Sequence, residues 1–313
     1  MPDWKIMIAD GLDESGQSIL QAEAQVDDRT GITADALKSQ ISAYDGLIVR
    51  GRTRVTADVL ATAKRLQVVG RAGVGVDNID LAAATGHDVI VVNAPRSTTL
   101  AVAEHTLALL LALARSIPQA DAGMKTGHWL KKDLMGVELH GKVLGIIGVG
   151  NIGGQVARHA QALGMQVLGY DAVLSGADIQ LHGVEPVELG YLYANSDFIS
   201  LHVPLLPETR KMITGQTFGL MKKGVCLVCT ARGGLIDETA LLGALESGQV
   251  AGAALDVFAN EPPGLTALVS HPHVIATPHI GAQTIEAQKR AAQDIAQEVM
   301  AALRGDPLRW RVV

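Results

Sequence analysis

Residues 143–163 read VLGIIGVGNIGGQVARHAQAL, and this stretch decides the fold. Its apolar first five residues predict a buried strand, and the residues after its last glycines predict a helix. Between them lies GVGNIG, which fits the GxGxxG pattern of a strand–turn–helix unit that binds a dinucleotide. Gly148 permits the tight turn, Gly150 lets the backbone approach a pyrophosphate, and Gly153 lets helix and strand pack closely. We expect the anion on the N–H groups at the helix N-terminus.

The next predicted strand ends at Asp171, 18 residues after Gly153. That spacing is close to the ~20 residues at which an acid binds the adenosine ribose. A carboxylate there accepts hydrogen bonds from the ribose hydroxyls and repels a 2′-phosphate, and residues 172–174 contain no Arg. The motif therefore predicts NAD rather than NADP as the cofactor.

Short apolar runs alternate with helical patterns along the whole chain, which is typical of doubly wound α/β proteins. The candidate strands are Lys5–Ala9, Gly46–Val49, Leu66–Val69, Val89–Val92, Val143–Ile147, Val167–Tyr170, Phe198–Ser200, Val225–Val228, Gly252–Leu255 and Val274–Ala276. These are too many for one compact sheet, so we expect two doubly wound domains. An apolar helical stretch, Leu100–Arg115, interrupted by Glu104, His105 and Thr106, is interpreted as the crossing between them. The amphipathic helix Thr284–Leu303 is predicted to pack back on the first domain.

Composition excludes several classes of function. The net charge of −6 argues against a global basic field for nucleic acid. The longest apolar run, Leu107–Ala114, is far shorter than the ~18 residues that cross a bilayer, so no membrane partner is expected. The N-terminus has no signal-peptide layout. Cys226 and Cys229, close together in one apolar run, suggest a reducing, cytoplasmic protein without a disulfide or a metal site.

Three polar side chains follow predicted strands in the half of the chain that carries the glycine motif. His279 would act as a base, and the Glu261 carboxylate would orient it. The Arg232 guanidinium would bind a carboxylate through two parallel hydrogen bonds. Each residue alone is more often structural. Together, beside a dinucleotide site and at strand ends where α/β sheets bind ligands, they predict hydride transfer from an alcohol.

The chain resembles the D-isomer-specific 2-hydroxyacid dehydrogenases over nearly its whole length. The segments that carry the resemblance are Val68–Asp80 (VVGRAGVGVDNID), Leu144–Gly154 (LGIIGVGNIGG), Leu201–Arg210 (LHVPLLPETR), Ala231–Leu241 (ARGGLIDETAL), Ala253–Pro263 (AALDVFANEPP) and Thr277–Thr284 (TPHIGAQT). The family implies a flavodoxin-like, split substrate-binding domain of residues 1–97 and 284–313. A Rossmann NAD-binding domain of residues 98–283 would be inserted between them, and the protein would form a homodimer.

The resemblance also implies roles for residues. His279 is the implied acid/base, Glu261 its partner, and Arg232 the clamp on the substrate carboxylate and carbonyl. Asp256 is implied to face the nicotinamide amide. The implied cofactor contacts are Val74, Gly148, Gly150, Asn151, Ile152, Gly153, Asp171, Val203, Thr230, Ala231, Arg232, Asp256, His279, Ile280, Gly281 and Ala282. The chain departs from the family at Cys229, usually Asn, and at Val74, often Thr, and the first change is expected to loosen the local loop.

Within the family, four segments resemble the branch that oxidises D-3-phosphoglycerate to 3-phosphohydroxypyruvate, the entry step of serine biosynthesis. They are VRGRTRVTADVL (49–60), LQVVGRAGVGVDNIDL (66–81), ARSIPQA (114–120) and SGQVAGAALDVF (247–258). The implied substrate-binding residues are Arg50, Arg71, Gly73, Lys131 from the neighbouring subunit, Arg232 and His279. The chain stops at Val313, so we expect a short form without a C-terminal regulatory domain and without serine feedback through it.

The residues around Arg50 carry the substrate prediction. Arg50, Arg52 and Arg54 alternate, and in an extended loop their side chains would share one face. Arg71 begins a glycine-rich loop that we interpret as flexible and lying over a ligand. We expect Arg50 and Arg71 to bracket an oxyanion site opposite Arg232.

Two other interpretations stay open at this stage. The substrate could be another anionic 2-hydroxy acid, such as sulfolactate, glycerate, glyoxylate or hydroxypyruvate. A non-enzymatic alternative is an NAD-sensing corepressor, since such proteins share the fold and keep the His, Glu and Arg set. The phosphate-type arginines argue against the corepressor, and a peptide-binding groove with no turnover of any 2-hydroxy acid would favour it.

Overall fold

A computed structural model describes residues 3–313, which contain twelve strands and twelve α-helices. The strands are β1 Lys5–Ile8, β2 Gln25–Asp28, β3 Gly46–Val49, β4 Val68–Arg71, β5 Ile90–Asn93, β6 Val143–Ile147, β7 Gln166–Tyr170, β8 Glu185–Pro186, β9 Phe198–Leu201, β10 Val225–Cys229, β11 Val250–Leu255 and β12 Val274–Ala276. The helices are α1 Glu14–Gln21, α2 Ala34–Gln40, α3 Ala57–Thr62, α4 Leu81–Gly86, α5 Thr99–Arg115, α6 Ile117–Lys125, α7 Asn151–Ala162, α8 Gly176–Gln180, α9 Leu189–Asn195, α10 Gly215–Leu220, α11 Glu238–Glu246 and α12 Ile285–Arg304.

The chain forms two compact units, each with its own parallel sheet. One unit consists of the described residues up to Thr99 together with Ala282–Val313, and the other is Leu100–Gly281. These divisions fall at 99/100 and 281/282, against predicted domain boundaries of 97/98 and 283/284. Within residues 3–313, no single helix is long and apolar enough to cross a membrane, and α5 with α6 reach that length only as a pair bent by 66°.

The first unit has a five-stranded parallel sheet in the order β2-β1-β3-β4-β5. This is the flavodoxin-like order predicted for the substrate domain. The sequence did not indicate β2, because its residues QVDD form a polar, largely exposed edge strand. The central strands are buried on both faces, as expected where helices cover both sides of a parallel sheet.

Helix α12 packs back on this first sheet, as its amphipathic pattern predicted. Ile295 and Val299 are fully buried and pack in one cluster with Ile6 and Ile48. The helix also lies against α1 so closely that a Cβ at Gly16 would meet the Ala292 carbonyl oxygen at 2.5 Å. The first unit is therefore built from both ends of the chain.

The second unit has a seven-stranded parallel sheet in the order β12-β11-β10-β9-β6-β7-β8. The chain enters at β6, proceeds to β7 and β8 on one side, and returns to β9 and onward on the other. The strand order thus reverses between β6 and β9, and doubly wound sheets bind ligands in such a crevice at the carboxyl ends of their strands. The predicted fold class, two doubly wound domains of which one is Rossmann-type, is confirmed.

Candidate functional site

The glycine motif forms a tight turn from β6 into α7. Gly148 has φ +93°, and a Cβ there would meet the His202 carbonyl carbon at 2.8 Å and Val203 Cγ1 at 2.9 Å. A Cβ at Gly153 would collide with the Gly148 carbonyl oxygen. Only glycine fits either position, so the loops that follow β6 and β9 meet at the reversal point of the sheet.

Helix α7 begins at Asn151 with an open N-terminus. Its N-cap, Gly150, makes no side-chain cap, and a Cβ built on it has no atom within 4 Å. The first N–H groups of a helix have no partner within the helix, and the helix dipole adds partial positive charge there. The turn is therefore an open cradle in which a phosphate anion would fit.

Asp171 lies at the end of β7 and is fixed by three backbone amides. One carboxylate oxygen accepts from Val149 N at 2.9 Å, and the other accepts from Val173 N at 2.9 Å and Leu174 N at 3.1 Å. Each carboxylate oxygen has further acceptor capacity. The first bond also ties Asp171 to the glycine turn. Together the cradle and this acid fit the pyrophosphate and ribose of a dinucleotide.

His279 and Glu261 form a direct pair in the second unit. His279 Nδ1 lies 2.8 Å from Glu261 Oε2, and the Phe258 N–H donates to Glu261 Oε1 at 3.1 Å. Burial opposes ionisation of Glu261, but the bonds from His279 and Phe258 outweigh it, and its pKa is lowered. Because an ionised carboxylate only accepts, Nδ1 must carry the proton, which leaves Nε2 as the basic nitrogen of a neutral ring.

A buried carboxylate holds the turn that carries His279. Asp256, at the end of β11, accepts from Thr277 Oγ1 at 2.6 Å, Ile280 N at 2.9 Å and Gly281 N at 2.8 Å. Burial raises its pKa, but these bonds and one from His105 outweigh that effect and lower it. His279 itself has φ +53°, an unusual conformation for a residue with a side chain, and the surrounding bonds maintain it. In this structure Asp256 serves the turn, and its contact with the nicotinamide amide stays a prediction.

Arg232 follows β10 in a turn that closely approaches the loop carrying Glu261. A Cβ at Gly233 would collide with the Phe258 backbone, so glycine is required where the two loops meet. Arg232 Nη1 donates to the Ala231 carbonyl oxygen at 2.7 Å. The buried Cys229 Sγ lies 3.6 Å from the Arg232 carbonyl oxygen, which is a weak thiol contact.

The three predicted residues thus lie at neighbouring strand ends of one sheet. Arg232 follows β10, Glu261 follows β11, and His279 follows β12, which are adjacent in the sheet order. The nucleotide turn follows β6, two strands from β10. An imidazole, its carboxylate partner and a guanidinium therefore follow strands of the same sheet as the glycine turn.

In the first unit, a buried acid organises the arginine loop. Asp10 accepts from Arg50 N at 2.8 Å, Thr53 N at 3.0 Å, Thr53 Oγ1 at 2.5 Å and Arg52 Nε at 3.1 Å. Burial raises the pKa of Asp10, but the bonds from Thr53 and Arg50 and the Arg52 charge lower it overall. The prediction that three arginines share one face is wrong for Arg52, because residues 51–53 form a bend that turns it onto Asp10.

Arg50 itself is half-buried and lines a pocket of the first unit with Gln283 and Gln288. Burial lowers the pKa of its guanidinium, an effect that Asp10 partly offsets. Arg71 is also half-buried, and its guanidinium lies over Gly73, where a Cβ would collide with Nη1. Both cations are therefore held within the first unit rather than extended into solvent.

The remaining predicted residues are spread over both units. Val74 and Ala282 belong to the first unit, where the Val74 carbonyl accepts from Asn93 Nδ2 at 2.7 Å. Lys131 is exposed in the second unit, in the segment between α6 and β6. No local pattern in the sequence indicated Asp10 or Thr277. His105 and Thr106 were visible as polar residues that interrupt the apolar helix α5, and they contact Thr277 and Thr230.

The chain belongs to the D-isomer specific 2-hydroxyacid dehydrogenases. Residues 107–281, more than half of the chain, match the model described as D-isomer specific 2-hydroxyacid dehydrogenase, NAD binding domain. The expected family and the NAD cofactor are thereby confirmed.

The curated relatives point to one branch of the family. The chain is 49% identical over 305 residues to D-3-phosphoglycerate dehydrogenase from Rattus norvegicus, covering 97% of this chain and 57% of the relative. It is 48% identical over 303 residues to D-3-phosphoglycerate dehydrogenase from Methanocaldococcus jannaschii, covering 96% and 58%. The chain thus spans a little over half the length of these relatives.

Among solved structures, the fold is similar to that of a glyoxylate reductase from Paecilomyes thermophila. The TM-score is 0.91 at 29% identity, over 100% of this chain and 99% of the other. The same two-unit architecture therefore occurs in an enzyme whose name gives a different substrate, so the fold alone does not select the substrate.

Proposed function

We propose that this chain oxidises D-3-phosphoglycerate to 3-phosphohydroxypyruvate with NAD. The observation that carries the proposal is the 2.8 Å pair between His279 Nδ1 and Glu261 Oε2, which leaves Nε2 free to act as a base. NAD, when bound, supplies the acceptor for the hydride from the substrate carbon. His279 Nε2 takes the hydroxyl proton, and the Glu261 carboxylate stabilises the imidazolium that forms. The Arg232 guanidinium holds the substrate carboxylate through a bidentate pair of hydrogen bonds.

Cofactor binding is proposed at the strand ends of the second unit. The amides of Asn151 and Ile152 would hold the pyrophosphate, and Asp171 the adenosine ribose. Val203, Thr230 and Ala231 follow neighbouring strands. We extend the set to Val74 and to residues 279–282 on the basis of the family resemblance. Preference for NAD over NADP follows from the charge of Asp171, because a 2′-phosphate would meet a carboxylate that its backbone bonds hold in place.

The phosphate of the substrate is proposed to bind at Arg50 and Arg71, against the backbone of Gly73. The half-buried position of Arg50 supports this, because a cation withdrawn from water gains more from an anionic partner. Lys131 of the partner subunit would add a third cation in a homodimer. The names of relatives 43–49% identical to this chain favour phosphoglycerate over sulfolactate, glycerate, glyoxylate or hydroxypyruvate.

We also place the protein in the cytoplasm. Two free cysteines support this proposal, since thiols persist in reducing compartments. Cys229 is buried, and burial raises its pKa to about 11, so it is not primed to form a disulfide.

The test is NADH formation, followed by absorbance, over a panel of phosphorylated, sulfonated and unmodified 2-hydroxy acids. We expect turnover of D-3-phosphoglycerate well above that of D-glycerate. Arg50→Lys should raise the KM for D-3-phosphoglycerate about tenfold, because the charge stays while the planar fork is lost. Arg52→Lys is the matched control, since Arg52 is committed to Asp10, and it should leave that KM within about twofold. Equal use of glycerate would refute the substrate assignment, and no turnover of any 2-hydroxy acid would refute the enzyme.

A further inference from the structure

Two adjacent polar residues on the apolar helix α5 reach two different loops of the proposed site. His105 contacts the turn that carries His279, and Thr106 contacts the strand end that precedes Arg232. Both residues are withdrawn from solvent: the His105 side chain is 19% exposed and Thr106 is fully buried. Buried polar groups in an apolar helix are unfavourable unless they form hydrogen bonds, and these contacts supply such bonds.

The hydrogens in the His105 contact can be assigned from the surrounding bonds. Thr277 Oγ1 donates its one proton to Asp256 Oδ1 at 2.6 Å, so at its 3.3 Å contact with His105 Nε2 it must accept. Nε2 therefore carries a proton in either protonation state of the ring, and it also lies 3.4 Å from Asp256 Oδ1. The ring packs over the same turn, because a Cβ at Gly281 would lie 3.7 Å from His105 Cδ2.

The Thr106 contact has a defined direction as well. Thr106 Oγ1 donates to the Val102 carbonyl oxygen at 2.8 Å, one turn back in α5. In its 2.8 Å contact with Thr230 Oγ1, the Thr106 hydroxyl therefore accepts and the Thr230 hydroxyl donates. Both hydroxyls are buried. This bond fixes the end of β10 two residues before Arg232.

We propose that His105 and Thr106 are positioning residues, through which α5 sets the relative placement of the proposed base and the proposed carboxylate clamp. His105 acts through Thr277 and Asp256 on His279, and Thr106 acts through Thr230 on Arg232. The inference rests on the proposed function of His279 and Arg232. Two consecutive residues of α5 thus contact the loop that carries the proposed base and the strand end that precedes the proposed clamp.

Hydrogen exchange in the protein without added ligand tests the first half directly. The Ile280 and Gly281 amides both donate to Asp256, so His105→Leu should speed their exchange about tenfold. His105→Gln keeps a donor near the Nε2 position and should restore protection to within about twofold. His105→Asn, polar but too short to reach Thr277, should behave like the Leu variant and covers the case in which that variant fails to fold.

Kinetics test whether the contacts matter for more than folding. His105→Leu should lower kcat about tenfold with a small change in the KM for the hydroxy acid, because it displaces the base. Thr106→Val should raise that KM about tenfold with kcat within about twofold, because it loosens the clamp. Thr106→Ser retains the hydroxyl and should match the unmodified protein.

His279→Ala separates this inference from the proposed function. If His279→Ala abolishes turnover while His105→Leu and Thr106→Val leave kinetics and exchange unchanged, the positioning role is wrong and the proposed function stands. If His279→Ala keeps full turnover, the proposed function itself is wrong. Equal losses of kcat and equal rises of KM in both α5 variants would indicate general destabilisation and would also overturn the positioning role.

Discussion

Replacing Glu261 by Gln would remove one charge from the proposed site while keeping its shape. The amide oxygen can still accept from His279 Nδ1, but the amide nitrogen then faces the Phe258 N–H, so that backbone bond is lost. The variant also loses the charge that stabilises the imidazolium formed when His279 takes the substrate proton. Because the side-chain volume is kept, the variant tests charge and hydrogen bonding rather than packing.

The geometry sets the size of the effect. A hydrogen bond to a charged group contributes ~1.5–3 kcal/mol and a neutral one ~0.5–1.5 kcal/mol. The pair is 2.8 Å long, but its side chains are 50% and 37% exposed, so solvent screening places the difference near the low end, at ~1 kcal/mol. That free energy corresponds to about a fivefold fall in kcat/KM.

The direction of the effect follows from the charges. His279 gains a positive charge as it takes the substrate proton, and the Glu261 carboxylate stabilises that charge, so removing the carboxylate should slow oxidation. The value of kcat/KM, measured by NADH absorbance, should therefore fall in Glu261→Gln. His279→Ala, as a reference, should lose ~10²–10⁴-fold in kcat. An unchanged kcat/KM in Glu261→Gln would remove Glu261 from the mechanism.

Three further predictions concern the cofactor, the substrate and stability. Asp171→Ala should narrow the preference for NAD over NADP, measured as a ratio of kcat/KM values, by ~1–3 kcal/mol, and equal use of both cofactors by the unmodified protein would refute the role of Asp171. Arg50→Lys should leave the KM for D-glycerate unchanged, since glycerate lacks the distal phosphate, and a parallel rise would place Arg50 elsewhere in the site. Asp10→Asn should lower the free energy of unfolding by ~2–3 kcal/mol near neutral pH. Because the pKa of Asp10 is lowered from 3.8, the difference in unfolding free energy should be constant above pH 3.8 and should shrink as the pH falls below it. A difference that does not depend on pH would contradict stabilisation by the ionised Asp10 carboxylate.

Much of the fold could be predicted because its signals are local. The strand β6, the glycine turn and Asp171 lie close together in the sequence. The local backbone geometry at each of them restricts which residue types fit. The apolar central strands were also visible. Edge elements were not, because β2 is polar and exposed, and β8 has only two residues. Their strand character comes from pairing with a neighbour rather than from composition.

The sequence indicated which residues form the proposed site, but not which other residues hold them in place. His279, Glu261 and Arg232 each follow an apolar run, so sequence could place them at strand ends. The fate of Arg52 depended on a bend and on Asp10, about 40 residues away, which no local pattern reveals. The bond between His105 and Thr277 spans 172 positions and arises only when α5 packs on the sheet.

The most direct test of the central claim is the fate of the hydrogen on C2 of the substrate. D-3-phosphoglycerate carrying deuterium at C2 would be incubated with the protein and NAD, and the mass of the reduced cofactor measured. The account predicts NADH one mass unit heavier than with unlabelled substrate, because the hydride passes directly from C2 while His279 takes the hydroxyl proton. Unlabelled NADH, with the deuterium released to water, or no NADH at all, would contradict it.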